Sequence, residues 1–275
     1  MKSNYKTSIF IAILFLFIIN TSAQETVKIP LSKPTQEGFL KMGIINGSIT
    51  IKGTNTKEVI VTGIKREGKK KYYSGRKTSK NNTSGLKRIS NNSLEFSAEE
   101  YDNVVHVKSS VHGTTDFEIE VPKNFSLKIS TINKGTIYIE NVNGTMDISN
   151  INGKITLKDI SGSVSADALN KDITVNFLKV TPNVAMAFSS MNGDIDITFP
   201  KTLKADIKVK SDRGEIYTDF ELKSKPSKAK ITKGNDSRGN AYKVKVEKWI
   251  TGSINGGGPE ILFKNFNGDV IIRAK

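Results

Sequence analysis

The sequence contains no cysteine, only two histidines and one tryptophan, and seven prolines in 275 residues. Without cysteine there is no disulfide framework, and no thiol could carry the acyl chains of a lipoprotein. With His106 and His112 as the only imidazoles, a metal centre lacks its usual converging ligands. The same scarcity leaves no Ser-His-Asp constellation to argue for. No 3.6-residue apolar period is convincing after residue 23, so no glycine-rich phosphate loop precedes a helix. The residues predict neither a cofactor nor a metal.

Glycine and β-formers are abundant. From Ile132 to Val175 glycines recur at Gly135, Gly144, Gly153 and Gly162, and Lys171 takes the next slot. Two and four residues after each slot stand apolar pairs: Ile137 and Ile139, Met146 and Ile148, Ile155 and Leu157, Val164 and Ala166, Ile173 and Val175. Two residues before stand Val142, Ile151, Ile160 and Leu169. A fixed period of this kind marks a repeat architecture. The alternation within each unit is that of a strand with one buried face. Asn-Gly at 143–144 and 152–153 suits tight corners, where Gly accepts positive φ. The reading is all-β: a β-solenoid, or β-helix-like stack of short strands with Asn-Gly corners. An antiparallel sandwich with hairpin turns is the alternative. The apolar residue before each corner predicts a core on both sides of the bend.

Later units stretch the period. Asn192-Gly193-Asp194-Ile195-Asp196-Ile197 and Arg213-Gly214-Glu215-Ile216-Tyr217 lie 21 residues apart, which predicts two strands per coil and makes nine residues half a coil. Phe266, Gly268, Val270 and Ile272 form the last unit, and its place at the chain end predicts that it caps the stack.

Residues 1–23 read as a cleavable secretory signal: Lys2 and Lys6, the apolar run Ile9 to Ile19, then Thr21-Ser22-Ala23. The run is short for a bilayer span. Residues 24–275 then form a single adhesin-like solenoid domain, exported to the periplasm or the cell surface. The full chain carries a net charge of +15, or +13 without Lys2 and Lys6, which favours anionic surfaces. An insertion at 65–92 breaks the strand pattern. Its 65–88 stretch holds ten Lys or Arg residues and one acid, Glu67. Lys69, Lys70, Lys71, Tyr72, Tyr73, Arg76 and Lys77 are the candidate polyanion-binding residues. The expected partners are an anionic polysaccharide, lipopolysaccharide or an envelope protein, with peripheral membrane contact and no specific nucleic acid. The competing view of 65–88 is a solvated insertion.

Three stretches carry a family resemblance: Asn46-Gly47-Ser48-Ile49-Thr50-Ile51, the unit at 192–197, and the ending Ile254-Asn255-Gly256-Gly257-Gly258-Pro259 with Asn267-Gly268-Asp269-Val270-Ile271-Ile272. Together they resemble the Toastrack family of bacterial adhesin-like proteins. The resemblance implies an extracytoplasmic, β-solenoid-like domain and supplies no catalytic residues. The function expected is that of a non-enzymatic envelope or surface module. The alternative is a polysaccharide-processing enzyme, for which Asp194 and Asp196, two residues apart on one strand, are the available carboxylate pair. Sister units put Thr145 and Asp147, Lys154 and Thr156, or Ser163 and Ser165 there, the pattern of variable outward slots.

Overall fold

The computed structural model describes residues 24–66, 94–111, 113–225, 230–236, 239–245 and 249–275, with side chains left aside between 224 and 248. Residues 1–23, read above as a secretory signal, the seven basic and aromatic candidates between Lys69 and Lys77, and His112 lie outside the described residues.

Every regular element described is a strand. The strands form two facing walls, and the chain passes from one wall to the other at each corner. In spatial order the first wall contains Phe96–Tyr101, Val104–Ser109, Gly38–Asn46, Phe125–Asn133, Asn143–Asn150, the 161–168 half of Ile155–Ala168, Met186–Asn192, Glu260–Asn267 and Ala205–Ser211. Ile250–Ile254 and Lys223–Lys225 follow on its edge. The second wall runs Gln24–Pro30, Glu58–Lys65, Thr115–Pro122, Ile49–Thr54, Ile137–Glu140, the 155–158 half of Ile155–Ala168, Ile173–Val180, Ile195–Phe199, Val270–Ala274 and Ile216–Thr218. Interior neighbours are parallel, and antiparallel strands cover the edges that would otherwise offer unpaired backbone. This is the solenoid reading and not the sandwich. Ile137, Ile155, Ile173 and Ile195 stack in register, 18, 18 and 22 residues apart, so nine residues are half a coil.

The stack is interleaved at both ends. The coil of 38–54 lies between the coils of 104–122 and 125–140. The final coil, 260–274, lies between those of 186–199 and 205–218. The last unit is therefore internal and does not cap the stack, contrary to the sequence expectation. The glycine-rich ending is the device that places it. After antiparallel strand Ile250–Ile254, Asn255, Gly256 and Gly257 take φ of 49°, 90° and 87°, and Asn255 Nδ2 donates to the carbonyls of Lys201 and Leu203. The chain reverses there and enters the gap as a parallel strand. The polar stretch 222–241 holds strand Lys223–Lys225 and one arm of a hairpin between Lys230–Asp236 and Gly239–Lys245.

Between the walls, Ile148, Ile155, Leu157 and Ile173 are buried, as the alternation requires. Phenylalanines fill the far end of the core: Phe177 stacks on Phe199 with ring centroids 5.0 Å apart, and Phe188 on Phe263 at 5.3 Å. The corner glycines have a second cause besides φ. Gly153 has no positive φ, yet a Cβ there would overlap the carbonyl oxygen of Gly135 in the next coil. Close approach of backbone to backbone, more than turn conformation, keeps this slot empty.

Two stability measurements check this packing. Ile155→Ala should cost about 2–5 kcal/mol, while Thr156→Ala, one residue along and outward, should cost well under that. Equal shifts in melting temperature would place the register off by one residue. Gly153→Ala should cost about 1–3 kcal/mol through overpacking. A neutral result would mean that the corners are not in contact.

Candidate functional site

The corner that leaves the first wall repeats a pattern in six coils: an inward residue, polar in four of them, then an outward apolar residue and an asparagine, followed by glycine in four. Backbone register superimposes these positions from coil to coil. The inward column contains Thr131, Asn150, Ser190 and Asn265, all buried. Each satisfies corner carbonyls that cannot reach a strand partner. Thr131 Oγ1 donates to the carbonyl of Gly47 at 3.0 Å. Asn150 Nδ2 donates to that of Gly135 at 3.2 Å, and its Oδ1 accepts the N–H of Gly153 at 2.9 Å. Asn265 Nδ2 donates to the carbonyl of Gly193 at 2.9 Å.

The outward column comprises Ile45, Ile132, Ile151, Leu169, Met191 and Phe266, each between 39% and 47% exposed. This corrects the expectation of a core on both sides of every bend. At the opposite corner Val142 and Ile160 are buried as expected. The two corners differ in backbone. Asn141 and Asp159, just before Val142 and Ile160, take φ of 58° and 50°, which swings the next side chain inward. Asn150 and Ala168 make no such reversal, so Ile151 and Leu169 point out.

Beside the apolar column runs an amide ladder. Asn152 Nδ2 donates to Asn133 Oδ1 at 2.8 Å, Asn170 to Asn152 at 2.8 Å, and Asn192 to Asn170 at 3.1 Å. Asn46 and Asn267 continue the register at the two ends. With strands 4.7–4.9 Å apart, six rungs span about 24 Å. On the second-wall side Lys154 bonds Asp172 at 2.8 Å, which holds the Asp172 carboxyl below and the Lys154 ammonium above its ordinary value.

The edge ends in a groove of about 730 Å³ on the outer face of the first wall. Leu169, Met191 and Phe266 form one side of it, and Trp249 and Lys208 line it too. Lys208 Nζ sits 4.9 Å from the centroid of the Trp249 ring. Arg213 lies over Phe266 at 5.1 Å. Lys210 pairs with Asp212 at 2.9 Å, and Ser189 donates to Asp167. Lys264, adjacent in register to both Lys210 and Ser189, is exposed and has no carboxylate partner among the described residues.

The other sequence candidates have structural employment. Asp194 Oδ1 accepts the N–H of Asp269 at 2.9 Å, and Asp196 binds Arg273 at 2.8 and 3.0 Å. His106 sits half-buried in an alternating strand, facing outward. Among the described residues no group of three His, Cys, Asp or Glu side chains converges as a metal site. The seven candidates at Lys69–Lys71, Tyr72, Tyr73, Arg76 and Lys77 are outside the described residues, so the edge and groove come from residues that sequence reasoning did not assign to binding. The nearest signal was Ile151 and Leu169, noticed as periodic but assigned to the core.

Comparison with solved structures finds a proposed cell adhesion protein from Clostridium sporogenes, 13% identical, covering 93% of this chain and 100% of its own, at a TM-score of 0.44. A proposed adhesin from Bacteroides fragilis is 11% identical and covers 93% of this chain and 98% of its own, at a TM-score of 0.35. No curated protein matches the sequence. The family model described as Toastrack DUF4097 matches residues 126–248, which take in four of the six rungs, those of Ile132, Ile151, Leu169 and Met191. The family model thus matches the Toastrack family over the central part of the chain, the family that its repeated glycine units resemble.

Proposed function

We propose that this protein is an exported, non-enzymatic, adhesin-like module of the cell envelope or cell surface, and that it binds an extended polysaccharide along its six-rung edge. One observation carries the reading: Ile45, Ile132, Ile151, Leu169, Met191 and Phe266 stand exposed in a single straight column beside a hydrogen-bonded amide ladder. Contiguous exposed apolar surface of this kind marks an interaction site more often than chance. An aliphatic stripe next to an amide stripe offers a polysaccharide contact for its C–H faces and partners for its hydroxyls. The repeat of equal rungs suits a polymer rather than a compact ligand. The charge of +15 favours an anionic polymer. Against the enzyme reading, the Asp194 and Asp196 carboxylates are engaged in a backbone bond and an arginine pair.

Sedimentation with native envelope fractions tests the edge. The double variant Ile132→Asp, Ile151→Asp changes two exposed side chains outside the groove. It should bind at least tenfold more weakly, while surface substitutions of this type shift stability by only about 0.5 kcal/mol each. Wild-type binding by this variant would sink the proposal. A salt series tests the basic segment separately. Lys69→Ser, Lys70→Ser, Lys71→Ser should flatten the loss of binding with rising salt, since attraction by exposed charge is screened over about 8 Å at physiological strength. Identical salt curves for wild type and triple variant would show that these lysines take no part.

A further inference from the structure

We infer that the groove at Trp249 is a subsite for an acidic sugar, one whose carboxylate pairs with Lys264. The inference rests on the polysaccharide reading of the edge and adds to it the class of residue recognised. Four features point to this ligand. The groove volume, about 730 Å³, falls within the range that holds small ligands. Trp249 supplies a broad apolar ring beside the strand floor, the surface on which the C–H face of a pyranose packs. Lys264 rises from the floor with no carboxylate partner among the described residues, whereas Lys210 is neutralised by Asp212 at 2.9 Å and Lys208 is drawn over the Trp249 ring. Finally, Asp167 and Ser189 line the same groove and offer a carboxylate and a hydroxyl as hydrogen-bond partners for sugar hydroxyls.

The charge arrangement also selects against other polyanions. A carboxylate sugar brings one negative charge per residue, which matches a single free ammonium and gains from a charge-assisted hydrogen bond. A nucleic-acid backbone would bring closely spaced phosphates toward Asp167 and Asp212, which line the same groove. Asp167 and Ser189 instead suit neutral hydroxyl groups of the sugar.

Trp249 is the sole tryptophan of the chain, so its fluorescence reports on the groove directly. The probes are polygalacturonate and its fully methyl-esterified form, which share a backbone and differ in charge. With the full protein, polygalacturonate should shift the tryptophan emission and bind at least tenfold more tightly than the ester. Lys264→Gln should abolish that preference by lowering affinity for the acid to that for the ester, with the emission of the free protein unchanged. Ile132→Asp, Ile151→Asp should weaken both polymers by a similar factor and leave the preference in place. Polygalacturonate that binds without moving the emission, or a Lys264→Gln variant that keeps the preference, would overturn the subsite and leave the edge standing. Failure of polygalacturonate to bind at all would overturn it too, and envelope sedimentation would then decide the broader reading alone.

Discussion

Backbone meets backbone at the corners of this molecule, and the rest follows from that contact. Where Gly153 lies against the carbonyl of Gly135, there is no room for a side-chain carbon. Coils that touch this closely must stack with their residues in vertical register. Each position of the repeat then becomes a column, and a column works only if its members share one chemistry. Apolar columns form the core. A buried polar column relieves the corner carbonyls, through Thr131, Asn150, Ser190 and Asn265. The outward column stays apolar over six coils although nothing described covers it.

The same constraint turns local features into an extended surface. One exposed isoleucine at a bend means little in a globular protein. Six apolar side chains, three of them isoleucine, set one strand spacing apart and bordered by asparagines, make a straight edge. The groove at its end breaks that uniformity. Its residues come from four strands of the first wall and from Trp249 at the start of Ile250–Ile254. Uniform rungs favour a repeating partner. If the groove binds as inferred, Lys264 is the local feature that uniform rungs cannot provide.

Much of the architecture was legible in the sequence because a two-residue alternation and a nine-residue glycine spacing have few physical solutions. Ile155 and Leu157 had to face inward, and they do. The asymmetry of the two corners was not legible. Val142 and Ile151 occupy equivalent slots in the pattern, and only the left-handed backbone at Asn141 separates their fates. Asn150 and Asn265 gave no sign of burial, since their partners are carbonyls from other coils. The interleaving was hidden for a related reason: the unit at 268–272 is as good a neighbour for 193–197 as the unit at 214–218, so periodicity cannot say which comes next in space. The groove draws on residues from 167 to 266, and no linear spacing announces it.

The buried position of the final coil bears on how the protein answers to force. If the protein holds a polymer as proposed, it is pulled, and the pull reaches its fold through the chain. If the C-terminal strand lay at the end of the stack, it could peel away one hydrogen bond at a time. Here Val270–Ala274 is bonded on one side to Ile195–Phe199 and on the other to Ile216–Thr218, while Glu260–Asn267 is held likewise between Met186–Asn192 and Ala205–Ser211. Traction on that end must shear ladders on both flanks together. Rupture under load is governed by the height of the unfolding barrier rather than by equilibrium stability. Threading coil 260–274 into the stack raises the barrier to pulling that coil out.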